Sequence, residues 1–382
     1  MKVNVYNIVS VLAFLINPIL GLISSFIGLY KSQKSQVLCF TYSLCVAISI
    51  SKNKIYADSI AYNEIYNEVT SSDLKEIDPY ITYKYISYFF KELGISYEVL
   101  PFLHVLLMTF FLTKSILILS SKYNFTGTKF ILSVIGLTIL ANPIVASMGQ
   151  RNSLAIFIVI YAVISFYNRR VFSSSLWLVT ASLIHFTMTV FIPILYLSRL
   201  IKLDKLKYFI LALIAIFSSL FFEKIIKIIF INEGVEDFTN KYQEINYDLG
   251  GGGIFVYNFI LYSMKFFYYL CFLRYGFAVS HDYLFNNVRN FILLMTVLCI
   301  FLISNPVAFG RFTNYTLYLI FLYMLIYSSK FYVSFFIKLF MFISCLGYLI
   351  FYNIFPWREP ILNGEMHLAL LFPSFYTIWD IF

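Results

Sequence analysis

Long apolar segments follow one another along nearly the whole chain, with short groups of Lys and Arg between them. A helix that crosses the hydrocarbon core of a membrane needs about 20 mostly apolar residues. By that measure the predicted membrane spans are residues 7–30, 36–51, 99–120, 130–148, 152–168, 208–231, 254–273, 290–309, 312–329 and 331–354. The first span is longer than the core of a secretory signal peptide, so we interpret it as a membrane helix.

The charge content excludes several classes of protein. Charged residues make up 12% of the chain and hydrophobic residues 60%, whereas a soluble domain carries roughly 25% charged residues. A soluble enzyme, a nucleic-acid binder and a disordered protein are therefore excluded. The net charge of +9 comes from Lys and Arg scattered between apolar runs, where they set membrane topology. We predict an all-α polytopic integral membrane protein, with residues 1–382 as one transmembrane domain of about 10–12 helices.

Residues 171–200 form an apolar stretch with cationic residues at both ends. Because cationic flanks stay on the cytoplasmic side, this stretch must leave that side and return to it. We predict a helical hairpin, built of two short helices or a re-entrant loop, with its tip near His185.

The same rule places residues 51–98, 232–253 and 355–382 on the extracytoplasmic side. In the first of these segments, Asp58, Tyr62 and Tyr66 recur at every fourth residue beside an apolar stripe. That spacing predicts amphipathic helices lying along the membrane surface, with exposed aromatic rings suited to sugars or to an interfacial aromatic belt. The rings expected to be exposed are those of Tyr62, Tyr66, Tyr80, Tyr83, Tyr85, Tyr88 and Tyr97.

Four polar residues fall at span ends on this same side: Arg151, Arg311, Asp58 and His185. Arginine presents a planar fork of donors that matches phosphate oxygens, and two arginines suit a diphosphate leaving group. A carboxylate or an imidazole suits a general base for a sugar hydroxyl. The structural alternatives are interface anchors for the arginines, a helix cap for Asp58 and a helix-tip histidine for His185. No metal-ligand spacing occurs, and we predict neither a metal nor another cofactor.

In order and topology these residues resemble the EpsG/Wzy-like polysaccharide polymerases of bacterial O-antigen and exopolysaccharide systems. The resemblance covers most of the chain. Its motifs here are Tyr56-Ala57-Asp58 with Tyr62 and Tyr66, Asp78-Pro79 with Gly94 and Tyr97, Arg151 with Ala155, Arg169-Arg170 with Ala181 and His185, and Arg311 with Tyr315. Two departures occur: Asn152 follows Arg151 where the family often has Gln, with Gln150 before it instead, and Phe186 separates His185 from Thr187.

The resemblance implies a GT-C-like glycosyltransferase in the bacterial inner membrane, with its active site facing the periplasm or exterior. It implies that undecaprenyl-diphosphate-linked repeat units are polymerised, the donor and acceptor glycans being the substrates. By position, Arg151 and Arg311 would bind diphosphate, and Asp58 or His185 would activate the acceptor hydroxyl. Sugar binding or positioning would fall to Tyr62, Tyr66, Gln150 and Tyr315. Direct attack predicts an inverting, metal-independent transfer.

The expected partners are the lipid-linked glycans, the lipid bilayer and a chain-length regulator protein, with no nucleic acid. The rival functions are an O-antigen ligase, a lipid-linked oligosaccharide flippase or other transporter, and a membrane O-acyltransferase that would depend on His185. A transporter is expected to bury charges near the middle of its spans. The predicted spans are nearly free of acidic residues, which favours an enzyme that acts at the membrane interface.

Overall fold

A computed structural model of the protein describes residues 4–51, 58–75, 80–221, 252–348 and Ser374. Every regular element in these ranges is helical. The first helices are α1 (Val5–Ile16), α2 (Pro18–Lys31), α3 (Gln36–Ser51), α4 (Asp58–Glu68), α5 (Ile81–Glu92), α6 (Val99–Tyr123), α7 (Thr128–Ala141, with a π-helical turn) and α8 (Pro143–Met148). They are followed by α9 (Gln150–Tyr167), α10 (Val171–Ile184), α11 (Phe191–Leu200), α12 (Lys205–Ser219), α13 (Gly252–Tyr275), α14 (Tyr283–Phe301), α15 (Pro306–Lys330) and α16 (Phe335–Tyr348).

The chain divides into two compact units. The first comprises Met1–Ile192 with Ser328–Phe382, and the second comprises Pro193–Tyr327. In the first unit, α9 packs against α6 and α10, and α3 packs against α2 and α6. Every side chain of α9 from Leu154 to Tyr167 is buried, as expected for a helix that is apolar on all sides. In the second unit, α12 packs against α14.

Among the described residues, three helices are long and apolar enough to cross a membrane: Val99–Tyr123, Gln150–Tyr167 and Tyr283–Ser304. Several shorter apolar helices, of 10–17 residues, accompany them. This all-helical, apolar architecture is that of a helical membrane protein. The number of spans and the GT-C-like arrangement stay predictions.

Three Asn-Pro dipeptides determine where helices begin: Asn17-Pro18, Asn142-Pro143 and Asn305-Pro306. In each, proline is the first helical residue, where its missing N–H removes no hydrogen bond. The preceding asparagine caps the new helix, because its side-chain oxygen accepts a backbone N–H. The donors are Ile19 at 2.8 Å, Val145 at 3.1 Å and Ala308 at 3.0 Å.

These caps make three predicted continuous spans wrong. The span predicted at 7–30 is two helices of 12 and 14 residues that pack on each other, about 18 and 21 Å long where a membrane core measures about 30 Å. The span predicted at 130–148 breaks between α7 and α8, and the one at 290–309 ends before Asn305. In each case the asparagine caps a new helix, although the apolar pattern continues without a break.

Other predicted elements are confirmed within a few residues. Helices occupy the predicted spans 36–51, 99–120, 152–168 and 254–273, and the helices α4 and α5 lie in segment 51–98, where helices were predicted. Helix α15 begins at Pro306 and not at 312. The predicted spans 208–231 and 331–354 begin in α12 and α16 and end outside the described residues.

Helix α10 ends at Ile184, and His185 follows it with extended backbone (φ −147°, ψ 109°) before a 3₁₀ turn at Phe186–Val190. The chain therefore breaks at the predicted residue, while the path of the hairpin stays a prediction. Residues 232–251 lie outside the described residues, and Gly252 begins α13. Of segment 355–382 only Ser374 is described, and its hydroxyl donates to the carbonyl of Phe14.

Candidate functional site

The site is built on the first turn of α9. Gly149 interrupts the helical path after α8, so that α9 starts with Gln150 and Arg151. Both side chains are buried, with 0% and 6% of their surfaces exposed. A buried amide beside a buried guanidinium requires partners for every polar group, because unpaired polar groups are costly away from water.

Arg151 is held by two tyrosines of the first unit. Its Nε donates to the hydroxyl of Tyr62 at 3.4 Å. Its guanidinium carbon lies 3.8 Å from the ring centroid of Tyr80 and 5.8 Å from that of Tyr62. Stacking of this kind is a cation–π contact, for which the planar guanidinium is well suited. Since Tyr80 is 39% exposed, the guanidinium lies directly beneath a ring that faces outward.

Gln150 is bonded at both ends of its amide. Its Oε1 accepts from the hydroxyl of Tyr83 at 3.1 Å, and its Nε2 donates to the hydroxyl oxygen of Tyr97 at 2.8 Å. The hydroxyl of Tyr97 in turn donates to the carbonyl of Ser59 at 3.0 Å. This chain of hydrogen bonds ties the first turn of α9 to α5, to the start of α6 and to the first turn of α4.

The expectation of exposed tyrosines is wrong for Tyr62, Tyr66, Tyr83 and Tyr97. These four are buried in one cluster with Leu100. Their rings pack in pairs, Tyr62 with Tyr83 at 4.8 Å and Tyr66 with Tyr97 at 5.8 Å. Because α4 and α5 pack on each other, the aromatic stripe turns inward, and Ile65 of the neighbouring apolar stripe is partly buried against the same cluster.

Burial raises the pKa of Tyr83 and of Tyr97 above the ordinary value of a phenol, mainly through desolvation. Both side chains are therefore neutral at physiological pH. A neutral phenol donates and accepts hydrogen bonds, which matches the positions that these two hydroxyls occupy around Gln150. The tyrosine cluster therefore packs around Gln150 without contributing a charge.

Asp58 is the first residue of α4. Its neighbour Ser59 accepts the hydrogen bond from Tyr97, so the backbone at Asp58 is tied through Tyr97 to Gln150. The structure thus brings the start of α4 to the start of α9. The sequence indicates chemistry at both places but not how far apart they lie.

His185 is buried between α10 and the turn that follows. Its Nδ1 lies 2.7 Å from the hydroxyl of Thr187, and its ring stacks on Phe186 with centroids 5.7 Å apart. The intervening Phe186, which departs from the family pattern, leaves the hydroxyl within hydrogen-bond reach of the imidazole. A hydroxyl at Nδ1 fixes the orientation of the ring, as an imidazole that moves protons requires.

Arg311 and Tyr315 belong to the second unit, whereas Arg151 and His185 belong to the first. Arg311 is half-buried in the second turn of α15, and Tyr315 is buried one turn later against Phe312, with ring centroids 5.4 Å apart. Asn305-Pro306 starts this helix early enough to place Arg311 inside it. The predicted start at 312 would have left Arg311 outside the helix.

The contacts that complete the site cannot be predicted from the sequence. Tyr80, Tyr83 and Tyr97 are expected from the sequence only to expose their rings, and nothing in it indicates their contacts with Gln150 and Arg151. The pairs are separated by as many as 71 positions, as between Tyr80 and Arg151, and no local pattern carries that information. Within the described ranges, no group of three or more His, Cys, Asp or Glu side chains is arranged to hold a metal ion.

The sequence model of the EpsG family matches residues 34–364 of the chain. No curated protein and no solved structure matches. The matched range contains Asp58, Arg151, His185 and Arg311. Because the match covers most of the chain, the protein belongs to the EpsG family.

Proposed function

We propose that the protein polymerises undecaprenyl-diphosphate-linked oligosaccharide repeat units on the outer side of the cytoplasmic membrane. Membership in the EpsG family supports a polysaccharide polymerase-type function and a transferase role. The apolar helices support a location in the membrane. The observation that carries the proposal is Arg151, a buried guanidinium held by tyrosines beneath an outward-facing ring.

In the proposed reaction, the acceptor hydroxyl oxygen attacks the anomeric carbon of the growing glycan. A new C–O bond forms, and the bond from that carbon to the diphosphate oxygen breaks, so that the diphosphate leaves with the electron pair. Direct displacement inverts the anomeric centre. The proton of the hydroxyl passes to a general base, for which we propose Asp58 or His185.

Arg151 and Arg311 are proposed to neutralise charge on diphosphate. A guanidinium stays protonated when buried and offers paired N–H donors to phosphate oxygens. Charge stabilisation on a leaving group is worth most where water is excluded, and Arg151 is in such a place. Arginine therefore supplies what a metal ion supplies in other phosphate-handling enzymes.

The tyrosines have separate proposed roles. Tyr80, exposed above Arg151, offers a ring face and a hydroxyl to the substrate. Tyr62 and Tyr66 are buried, which supports positioning of α4 and of Arg151 as their part. Gln150, with both ends of its amide bonded to tyrosines, is proposed to hold the first turn of α9 in place, and Tyr315 to support the turn that carries Arg311.

The test is the surface-polysaccharide banding pattern of a strain that lacks the gene. The strain is complemented at matched expression with wild type, Arg151→Ala, Arg311→Ala or Arg274→Ala. Arg274 is the matched control, because it is an exposed arginine at the end of α13 whose guanidinium lies 5.7 Å from the ring centroid of Tyr275. We expect a single-repeat band in the deletion strain and a full ladder with wild type and with Arg274→Ala.

Loss of the ladder with Arg151→Ala and Arg311→Ala supports an arginine-dependent polymerase. Intact polymer left on its lipid carrier in the deletion strain would contradict the proposal in favour of a ligase. Absence of all repeat units from the surface would contradict it in favour of a flippase. A covalent glycosyl-enzyme, trapped with a slow substrate, would contradict direct displacement.

A further inference from the structure

His104 is a buried histidine near the start of α6 (Val99–Tyr123) that no step of the proposed reaction uses. Only 7% of its surface is exposed. Its Nδ1 lies 2.7 Å from the carbonyl oxygen of Leu100, one turn earlier in the same helix. Because a carbonyl oxygen can only accept a hydrogen bond, Nδ1 carries the proton and donates it. In the neutral imidazole, Nε2 then presents a lone pair.

Nε2 of His104 is a buried acceptor for which the protein supplies no donor. Among the described residues it has no hydrogen-bond partner, and it is not one of their fully enclosed polar atoms. A buried acceptor costs free energy unless a donor reaches it. A hydrogen-bond donor from outside the chain would therefore stabilise this atom and has access to it.

His104 lies at the tyrosine cluster that surrounds the first turn of α9. Its ring centroid is 6.2 Å from that of Tyr83, and the ring of Tyr83 packs against Tyr62 at 4.8 Å. The hydroxyl of Tyr62 accepts from Nε of Arg151. Leu100, on the same face of α6 as His104, is also a member of the cluster. The positive charge of Arg151 acts on the imidazole, so the histidine and the arginine belong to one site.

The surroundings of His104 decide which kind of donor fits Nε2. The hydroxyl of Tyr83 is already used, since it donates to Gln150 at 3.1 Å. A cationic donor would be repelled by Arg151. A neutral hydroxyl is free of that repulsion, and the sugar of a lipid-linked diphosphate carries hydroxyls close to its phosphates. A substrate whose diphosphate is bound by Arg151 would therefore bring such hydroxyls towards His104.

We propose that Nε2 of His104 accepts a hydrogen bond from a sugar hydroxyl of the lipid-linked substrate whose diphosphate Arg151 binds. The inference rests on the proposed function and deepens it by adding a sugar-binding residue to the site. Uptake of the proton by His104 would place a second positive charge beside Arg151. The role of general base therefore stays with Asp58 or His185.

The test uses two substitutions that each keep the equivalent of one ring nitrogen of His104. The amide nitrogen of asparagine takes the place of Nδ1, so His104→Asn keeps the bond to Leu100 and loses the acceptor. The amide oxygen of glutamine reaches the place of Nε2, so His104→Gln keeps an acceptor and loses that bond. His281→Asn is the control, because His281 is an exposed histidine between α13 and α14.

Binding is measured with the purified full-length protein in lipid nanodiscs. The probes are the lipid-linked repeat unit isolated from the deletion strain, and undecaprenyl diphosphate, which carries no sugar. We expect His104→Asn to weaken binding of the repeat unit by about 3- to 10-fold, the loss of one hydrogen bond. Its binding of undecaprenyl diphosphate should not change. His104→Gln and His281→Asn should bind the repeat unit within about twofold of wild type.

Thermal unfolding of the same variants should give the opposite order. His104→Asn should unfold near the wild-type temperature, because its amide still donates to Leu100. His104→Gln should unfold at a lower temperature, because the carbonyl loses that donor. A variant that is less stable but binds sugar normally, beside one that is stable but binds sugar weakly, separates substrate contact from a purely structural role.

Unchanged binding of the repeat unit by His104→Asn would overturn the inference. So would an equal loss of affinity for undecaprenyl diphosphate, because His104 would then act on the site as a whole. If His104→Asn does not fold, a loss of about tenfold in folded His104→Gln overturns the inference instead. The banding test is independent: an ordinary ladder in the deletion strain removes the polymerase and leaves the binding result, whereas unchanged binding by His104→Asn removes the sugar contact alone.

Discussion

Single side chains at the start of α9 show how a charged group is held at an apolar boundary. Gln150 and Arg151 are adjacent in sequence but have different surroundings, one enclosed by hydroxyl groups and the other stacked between aromatic rings. The amide stabilises the backbone turn, and the rings orient the guanidinium. Each contact can be removed by a change of one or a few atoms, which makes the two contributions separable by mutation.

The first prediction concerns the hydrogen bond from Tyr83 to Gln150. Tyr83→Phe should lower the free energy of unfolding by roughly 1–3 kcal/mol, because Oε1 of Gln150 is left buried without this donor. Tyr85→Phe is the matched control on the same helix: its hydroxyl donates to the Leu74 carbonyl at 3.1 Å but is exposed. Its loss should cost less than about 0.5 kcal/mol. Thermal unfolding in detergent measures both, and equal shifts would contradict the assigned role of Gln150.

The second prediction concerns the ring above Arg151. Tyr80→Ala should lower the polymerisation rate of purified protein by about 2- to 30-fold, the range expected from losing one cation–π contact. Tyr80→Phe keeps the ring and should retain most of the rate. If Tyr80→Phe were as slow as Tyr80→Ala, the hydroxyl and not the stacking would be what matters.

Three helices of this protein start where asparagine precedes proline. Neighbouring helices approach α2 closely at two glycines, which carry no side chain. On α2, a Cβ at Gly21 would lie 2.7 Å from the Cα of Phe14, whereas one at Gly28 would lie 2.8 Å from the end of the Leu38 side chain. The first neighbour is backbone and cannot move without moving α1. The second is a flexible methyl group. The close packing of α1 on α2 therefore depends on Gly21.

The third prediction compares the same substitution at these two glycines. Gly21→Ala should lower the free energy of unfolding by roughly 1–3 kcal/mol through overpacking, and Gly28→Ala should have a smaller effect. Both gain helix propensity equally, so this term cancels in the comparison. The measurement is thermal unfolding of the two variants in one detergent. A larger loss at Gly28 would show that α1 is free to shift.

The whole molecule exposes apolar side chains that a soluble protein would bury. On α12, large apolar residues such as Phe209, Leu213 and Phe217 are exposed along the helix. Contiguous exposed apolar surface indicates contact with lipid or with another protein. Together with the family match, it indicates that the outer surface of this helix faces the bilayer.

The fourth prediction tests that surface. Leu213→Arg should reduce the membrane-integrated fraction, because a cation near the middle of a membrane helix costs about 2.5–3.5 kcal/mol on insertion scales. Leu206→Arg is the control, since Leu206 is also exposed but lies between Lys205 and Lys207 at the helix start. Membrane fractionation of tagged variants measures the difference. Equal integration of the two would contradict a lipid-facing α12.

Several helices were predictable because apolar runs and helix-breaking residues are local features of the sequence. α3, α6, α9 and α13 lie where long apolar runs predict them, and α4 follows from the four-residue spacing of Asp58, Tyr62 and Tyr66. The breaks at the three Asn-Pro dipeptides were also readable, since asparagine caps and first-turn prolines are local signals. Each dipeptide lies inside an otherwise continuous apolar run, so the apolar pattern alone predicts one unbroken helix there.

The candidate site was predictable only in part. The positions of Arg151 and His185 at a helix start and a helix end follow from the order of the apolar segments. The burial of the tyrosines does not, because α4 presents two stripes and sequence alone does not say which one packs against α5.

Transfer of a segment from water to lipid depends on the residues of that segment alone, and for this reason the class of protein and most of its helices follow from the amino-acid order. The partner of each helix face depends on contacts between residues far apart in the chain. Gln150 is enclosed by Tyr83 and Tyr97 across 67 and 53 positions, and Arg151 meets the ring of Tyr80 across 71 positions. Those pairings arise only when the helices pack, because burial and hydrogen bonding stabilise one arrangement of the helix faces more than the others.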